Sequence, residues 1–154
     1  MAKKEEILKI LSARLRRILE FSSIDFELLQ ELRLRMKEPF IIIYDGEEFF
    51  VSNAGTLEKR AQAGYQITPG DIKETLEYIS SYSLYAYEDE IRQGFITVQG
   101  GHRIGLAGKV VSEQGKVKCV KHISFINIRM SHEKKAAEKK YCHIFMTGIT
   151  YAIP

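Results

Sequence analysis

The chain has two cysteines, no long apolar run and little net charge, and each shortage closes off a class of protein. Cys119 and Cys142 stand behind an N-terminus with no export pattern, so they read as free thiols rather than a disulfide framework. No run approaches the ~18 apolar residues that cross a bilayer. The opening MAKKEEILKILSARLRR has lysines but no uninterrupted apolar core and no small-residue cleavage site, so the sequence reads as cytosolic. A net charge of +3 is too small to demand a nucleic-acid partner. His132-Glu133 opens like a zinc-protease helix, but Ala136 stands where the second histidine is needed. His102, His122, His132 and His143 show no zinc spacing with either cysteine, so no metal site is expected. There is no G-x-S-x-G motif, no repeat and no low-complexity tract. The acids Glu47, Glu48, Glu88, Asp89 and Glu90 read as solvated charge on a hairpin tip and a helix surface. At 154 residues, 45% of them hydrophobic, the chain suits one globular domain burying about two-thirds of its unfolded surface.

What is present is patterned. Over Lys3 to Glu20, Leu8, Leu11, Leu15 and Ile18 recur at spacings of three and four against Lys9, Arg14, Arg16 and Arg17. That predicts one amphipathic helix, packed on its own domain or lying with its basic side on a membrane or partner. Ser22-Ser23 breaks the pattern, and Ile24 to Gln30 suits a second short helix. From Glu31 the period is two: Leu32, Leu34 and Met36 alternate with Arg33, Arg35 and Lys37, so three cations share one face of a strand. Asp45-Gly46, between Phe40–Tyr44 and Glu48–Val51, predicts a type I′ hairpin. Ser52 to Ala63 reads as a loop or short helix.

Thr68-Pro69-Gly70-Asp71 is a helix start, with Ile72, Leu76 and Ile79 facing inward. Ser80, Ser81 and Ser83 interrupt that helix, and Leu84 to Arg92 resumes it until Gly94. Tyr78, Tyr82, Tyr85 and Tyr87 crowd this region as cover for a core edge, or as an interface. Glu113-Gln114-Gly115 turns the chain into strands over Lys116–Val120 and Ile123–Met130. In the second of these, Ile126 and Ile128 oppose Asn127 and Arg129. Ser131 to Lys140 suits a lysine-rich helix. The fold class is α+β: an N-terminal amphipathic helix and a mainly antiparallel, hairpin-rich sheet with a central helical segment.

The most informative stretch is RQGFITVQGGHRIGLAGK, Arg92 to Lys109. Phe95, Ile96 and Val98 enter a turn at Gly100-Gly101, and Ile104, Leu106 and Val110 leave it. Paired glycines let both turn positions take positive φ without a Cβ clash. Gly105 and Gly108, inside the second strand, predict a bulge or a close approach by a ligand or another backbone. Together with ELRLRMKEPF, TPGDIKETLEYISSYSLYAYEDEIRQG and HISFINIRM, this stretch resembles the N-terminal part of the stage III sporulation protein AA family of endospore formers. The resemblance runs from about Leu28 to Met130.

The resemblance implies an accessory and regulatory domain over residues 1–130 and a truncated or altered linker over 131–154, leading toward an ATPase domain similar to secretion motors. Such a domain needs a G-x-x-x-x-G-K-[ST] loop to wrap phosphates and hold magnesium. The Gly-Lys pairs here, Gly108-Lys109 and Gly115-Lys116, have Arg103 and Val110 where the first glycine belongs, and valine after each lysine. The chain alone is therefore expected to be inactive as an ATPase, and ATP and magnesium are expected only with the catalytic domain. The tail KYCHIFMTGITYAIP departs from the family pattern, as an engineered fragment, a truncated gene or a frameshift would.

The resemblance also implies a ring-forming homo-oligomer in the mother-cell cytoplasm, peripheral at the membrane and coupled to channel proteins facing the forespore. In related motors the N-terminal domain supplies arginines to the nucleotide. Arg33, Arg35, Arg103 and Arg129 are the candidates here, beside the glycine-rich motif Gly100, Gly101, His102, Gly105 and Gly108. The alternatives are a nucleic-acid-binding α+β module and an inactive remnant.

Overall fold

The alternating strands predicted from Glu31 onward assemble into one antiparallel sheet. The structure is a computed structural model, and it describes residues 2–80, 88–113 and 116–132. Its strands are β1 (Leu29–Arg35), β2 (Ile41–Tyr44), β3 (Glu47–Val51), β4 (Leu57–Glu58), β5 (Phe95–Thr97), β6 (Arg103–Glu113) and β7 (Lys116–Arg129). They lie in the order β4-β3-β2-β1-β7-β6-β5, so β7 joins two hairpin-built halves. The helices are α1 (Ala2–Leu8), α2 (Ala13–Glu20), α3 (Pro69–Ile79) and α4 (Glu88–Gln93). Alternation gives the sheet one greasy face: Leu32, Leu34, Ile42, Ile96, Ile104, Leu106, Ile126 and Ile128 are buried. They form a single core with Ile7 and Leu11, with Leu15, Ile18 and Leu19 of α2, and with Ile72 and Ile79 of α3.

The single helix predicted over Lys3–Glu20 is two helices broken at Ser12. A continuous helix would use the Ser12 N–H internally, but Thr75 Oγ1 of α3 accepts it instead at 3.0 Å. The Ser12 hydroxyl donates to Asp71 (2.9 Å) while accepting from the Leu15 N–H (3.3 Å), capping α2. Carbonyls at the break accept from Arg16, which donates to Leu8, Lys9 and Leu11. The short helix predicted at Ile24–Gln30 is a turn running into β1. Ser52–Ala63 holds the two-residue β4 and a 3₁₀ turn at Ala61–Ala63.

Two of the predicted turns form among the described residues. Asp45 (φ 49°) and Gly46 (φ 80°) close β2 on β3, and Gly100 (φ 93°) and Gly101 (φ 80°) lie between β5 and β6. The start of α3 is a complete capping box between Thr68 and Asp71, and Gly94 (φ 88°) ends α4. The last two predicted strands are one strand, β7. Its pairing with β6 slips at Ala107/Gly108, Gly108/Lys109 and Val111/Ser112, so Lys118, His122 and Ser124 have no partner across β6. His122 takes φ 51° at one of these bulges, which bends the strand without ending it. The bulge expected at Gly108 is present, whereas Gly105 pairs regularly with Phe95 and Asn127. The expected start of the second helix at Leu84, Tyr82, Tyr85 and Tyr87, the Gln114-Gly115 turn and the tail from Glu133 onward lie outside the described residues.

Candidate functional site

Register decides which side chains share the sheet's second face. Arg103 of β6 lies directly across from Arg129 of β7, which lies across from Glu31 of β1. The next row is Gly105, Asn127 and Arg33, and the next is Ala107, Phe125 and Arg35. All four arginines named from the sequence therefore stand on one face, opposite the helices. They differ in what they touch. The Glu31 carboxylate accepts from Arg33 Nε at 2.9 Å and lies 4.0 Å from Arg129 Nε, while Arg33 Nη1 reaches Glu48 at 3.4 Å. Arg35 stacks over the Phe125 ring (4.9 Å) and Arg103 over the Phe95 ring (5.8 Å). Among the described residues, Arg35 and Arg103 have no carboxylate partner.

Sequence reasoning placed Asn127 on this face but gave it no role. It lies between Arg33 and Gly105, and its buried Oδ1 lacks a hydrogen-bond donor among the described residues. Opposite-row pairing set by the bulges brings it there, and no sequence signal reports such a register. Phe95 and Phe125, also unassigned beforehand, are the half-buried platforms under the Arg103 and Arg35 guanidiniums.

The glycine-rich motif divides between the two faces. His102 points to the helix side and is 1% exposed. Its Nδ1 accepts the Ser131 N–H at 2.9 Å, which leaves Nε2 as the proton-bearing nitrogen facing the Glu6 carboxylate at 3.1 Å. Gly100 takes φ 93° there, and a Cβ on it would displace the Glu6 carboxylate and press on the His102 ring. Gly100, Gly101 and His102 thus form a joint tying α1, the β5–β6 turn and the exit of β7. Arg103, one residue on, is the member of the motif that faces the open side. No group of three or more His, Cys, Asp or Glu able to hold a metal occurs among the described residues, and no described helix is long and apolar enough to cross a membrane.

A second polar cluster lies under α2. Asp71, 5% exposed, accepts from Ser12 Oγ, from the Thr68 N–H (3.0 Å) and from the Tyr65 hydroxyl (2.7 Å). Burial, followed by the hydrogen bond and charge of Asp71, pushes the Tyr65 phenol up to about 12. Every oxygen here is engaged within the fold, so the cluster is a structural clamp.

Residues 1–148 match the sporulation stage III, protein AA family across nearly the whole chain. The chain belongs to that family. It is 37% identical over 106 residues to stage III sporulation protein AA of Bacillus subtilis (strain 168), covering 69% of this chain and 31% of that protein. The chain thus matches about a third of the length of this relative. No solved structure matches it. Among the segments by which the sequence resembles the stage III sporulation protein AA family, β1, the β5–β6 turn and the end of β7 build the joint and the arginine face, and the α3 start builds the clamp under α2.

Proposed function

We propose that this chain is the accessory domain of a sporulation motor ATPase, and that its open sheet face closes over the phosphates of ATP held by a catalytic domain. The observation that carries this reading is the pair Arg35 and Arg103, rigidly based on strands, stacked on aromatic rings and without carboxylate partners among the described residues. Guanidinium forks in that state offer two parallel donors to phosphate oxygens. Arg33 and Arg129, sharing Glu31, would orient rather than donate. In this reading the motor assembles as a ring on the cytoplasmic side of the mother-cell membrane and energises a secretion-like channel toward the forespore. The chain carries no phosphate-binding loop, so ATP and magnesium enter only with the catalytic part.

The test is turnover by a full-length family protein bearing this domain. Arg103→Ala should lower ATPase kcat by about tenfold to a hundredfold, the worth of one or two charge-assisted hydrogen bonds. Its circular dichroism melt should be unchanged, because Arg103 is not in the core, and Arg103→Lys should restore part of the rate. Unchanged turnover would overturn the reading. One observation favours a second reading: partly exposed Phe95 and Phe125 beside arginines on an antiparallel sheet also suit stacked bases of a single strand. Strongly salt-dependent binding of single-stranded DNA, lost in Phe125→Ala, would support that instead.

A further inference from the structure

On the reading that the open sheet face closes over ATP, we propose that Asn127 is a specificity-determining residue of that face and binds the amino group of the adenine base. Among the described residues, one buried side-chain oxygen or nitrogen lacks a hydrogen-bond partner, and it is Asn127 Oδ1. A buried acceptor left unmet costs stability, so it calls for a donor. Ionised phosphate cannot supply one, because its oxygens only accept. The ligand of this face therefore carries an N–H or O–H besides its phosphates.

Register places the acceptor beside a gap. On this face Asn127 has Phe125 and Arg129 as neighbours along β7, with Gly105 and Arg33 across from it. Phe95 lies across from Gly105 on the far side. The row is thus a ring, a bare glycine, a carboxamide and a guanidinium. Two strand spacings, roughly 10 Å, separate the ring's backbone from that of the carboxamide. Gly105 pairs regularly with both neighbours, so no bulge accounts for a glycine inside this strand. Close approach of a flat ligand accounts for it, because a Cβ there would stand between Phe95 and Asn127.

Of the donors a nucleotide carries, the adenine amino group suits this gap best. A carboxamide sets an acceptor beside a donor, which matches the amino group and the neighbouring ring nitrogen of adenine. Hypoxanthine and guanine present a carbonyl at that position, acceptor against acceptor. A ribose hydroxyl would meet Oδ1 but leave the flat gap unfilled. The terminal torsion of asparagine is soft, so the oxygen turns toward Gly105 at little cost. Arg103, stacked on Phe95, and Arg35, stacked on Phe125, belong to the rows on either side of Asn127. Each row is roughly 7 Å away along the strands. A base over Gly105 thus leaves the phosphates within reach of these guanidiniums.

Inosine triphosphate, in which a carbonyl replaces the amino group, is the probe. In the full-length family protein bearing this domain, kcat/KM for ATP should exceed that for inosine triphosphate by about tenfold to a hundredfold. Asn127→Val should bring the two values together by lowering that for ATP. Valine suits a strand and removes an unmet acceptor, so the 154-residue chain bearing it should melt no lower than the parent. Equal use of the two nucleotides by the parent would overturn the proposal, as would a preference undiminished in Asn127→Val. A markedly lower melting temperature would overturn it as well, by making the amide part of the fold. Arg103→Ala separates the base site from the ATPase reading, because it should lower turnover of both nucleotides by a common factor. Loss of both with no preference for ATP in the parent retires the base site alone. Turnover indifferent to Arg103 retires the reading beneath it.

Discussion

At the scale of single residues, the informative contrast is between His102 and Arg103, neighbours in sequence that face opposite sides of the sheet. The first is spent on folding, and the second stands on the open face over the Phe95 ring, with no carboxylate partner among the described residues. Parity along a strand makes such a division legible in sequence. That Arg33, Arg35 and Arg129 join Arg103 was not legible, because it depends on strand order and on residues unpaired at bulges. Asp71 belongs to the structural class. Asp71→Ala strips acceptors from Ser12, Tyr65 and Thr68 at once and removes half of a capping box. Urea titration should show a loss of about 3 kcal/mol. Tyr65 adds a pH signature. Its folded pKa of about 12 lies above the ordinary 10.0, so the unfolded chain loses that proton first. The stability it contributes is complete below pH 10 and is lost as pH rises toward 12. Tyr65→Phe should flatten that part of the pH–stability curve relative to the parent.

At the scale of elements, short-range chemistry was readable and long-range substitution was not. Asp45-Gly46 and Thr68 through Asp71 specify their turn and cap from four residues or fewer. The α1–α2 break escaped because its cause is α3, whose Thr75 and Asp71 lie some sixty residues away and take over the Ser12 hydrogen bonds. Periodicity alone sees an unbroken apolar stripe. The bulged β7 escaped for a similar reason: an irregular run looks like an interruption until its partner strand is known. Gly100 offers a test of the β5–β6 joint. Gly100→Ala imposes a side chain at φ 93° and sets its Cβ on the Glu6 carboxylate. It should cost about 2 kcal/mol or more, measured by thermal melting. Glu6→Ala in the same chain should recover part of that loss by opening the space.

At the scale of the whole molecule, one core joins the helices to both halves of the sheet. Ile7, Leu8, Ile10 and Leu11 are all buried in it. At about 1.5–3 kcal/mol each, they contribute roughly as much as the 5–15 kcal/mol by which such domains are stable. Deleting residues 2–11 should therefore abolish the cooperative unfolding transition, whereas the parent should melt in one step by far- and near-ultraviolet circular dichroism. The central position of β7 carries a consequence in time. During synthesis, β1 to β4 and then β5 and β6 emerge before the strand that lies between β1 and β6 exists. Until it arrives, the nascent domain is two separate ribbons, each with an open edge that any neighbouring chain can pair with. The stage most open to mispairing with another chain therefore comes before β7 is made, not after the sheet is complete.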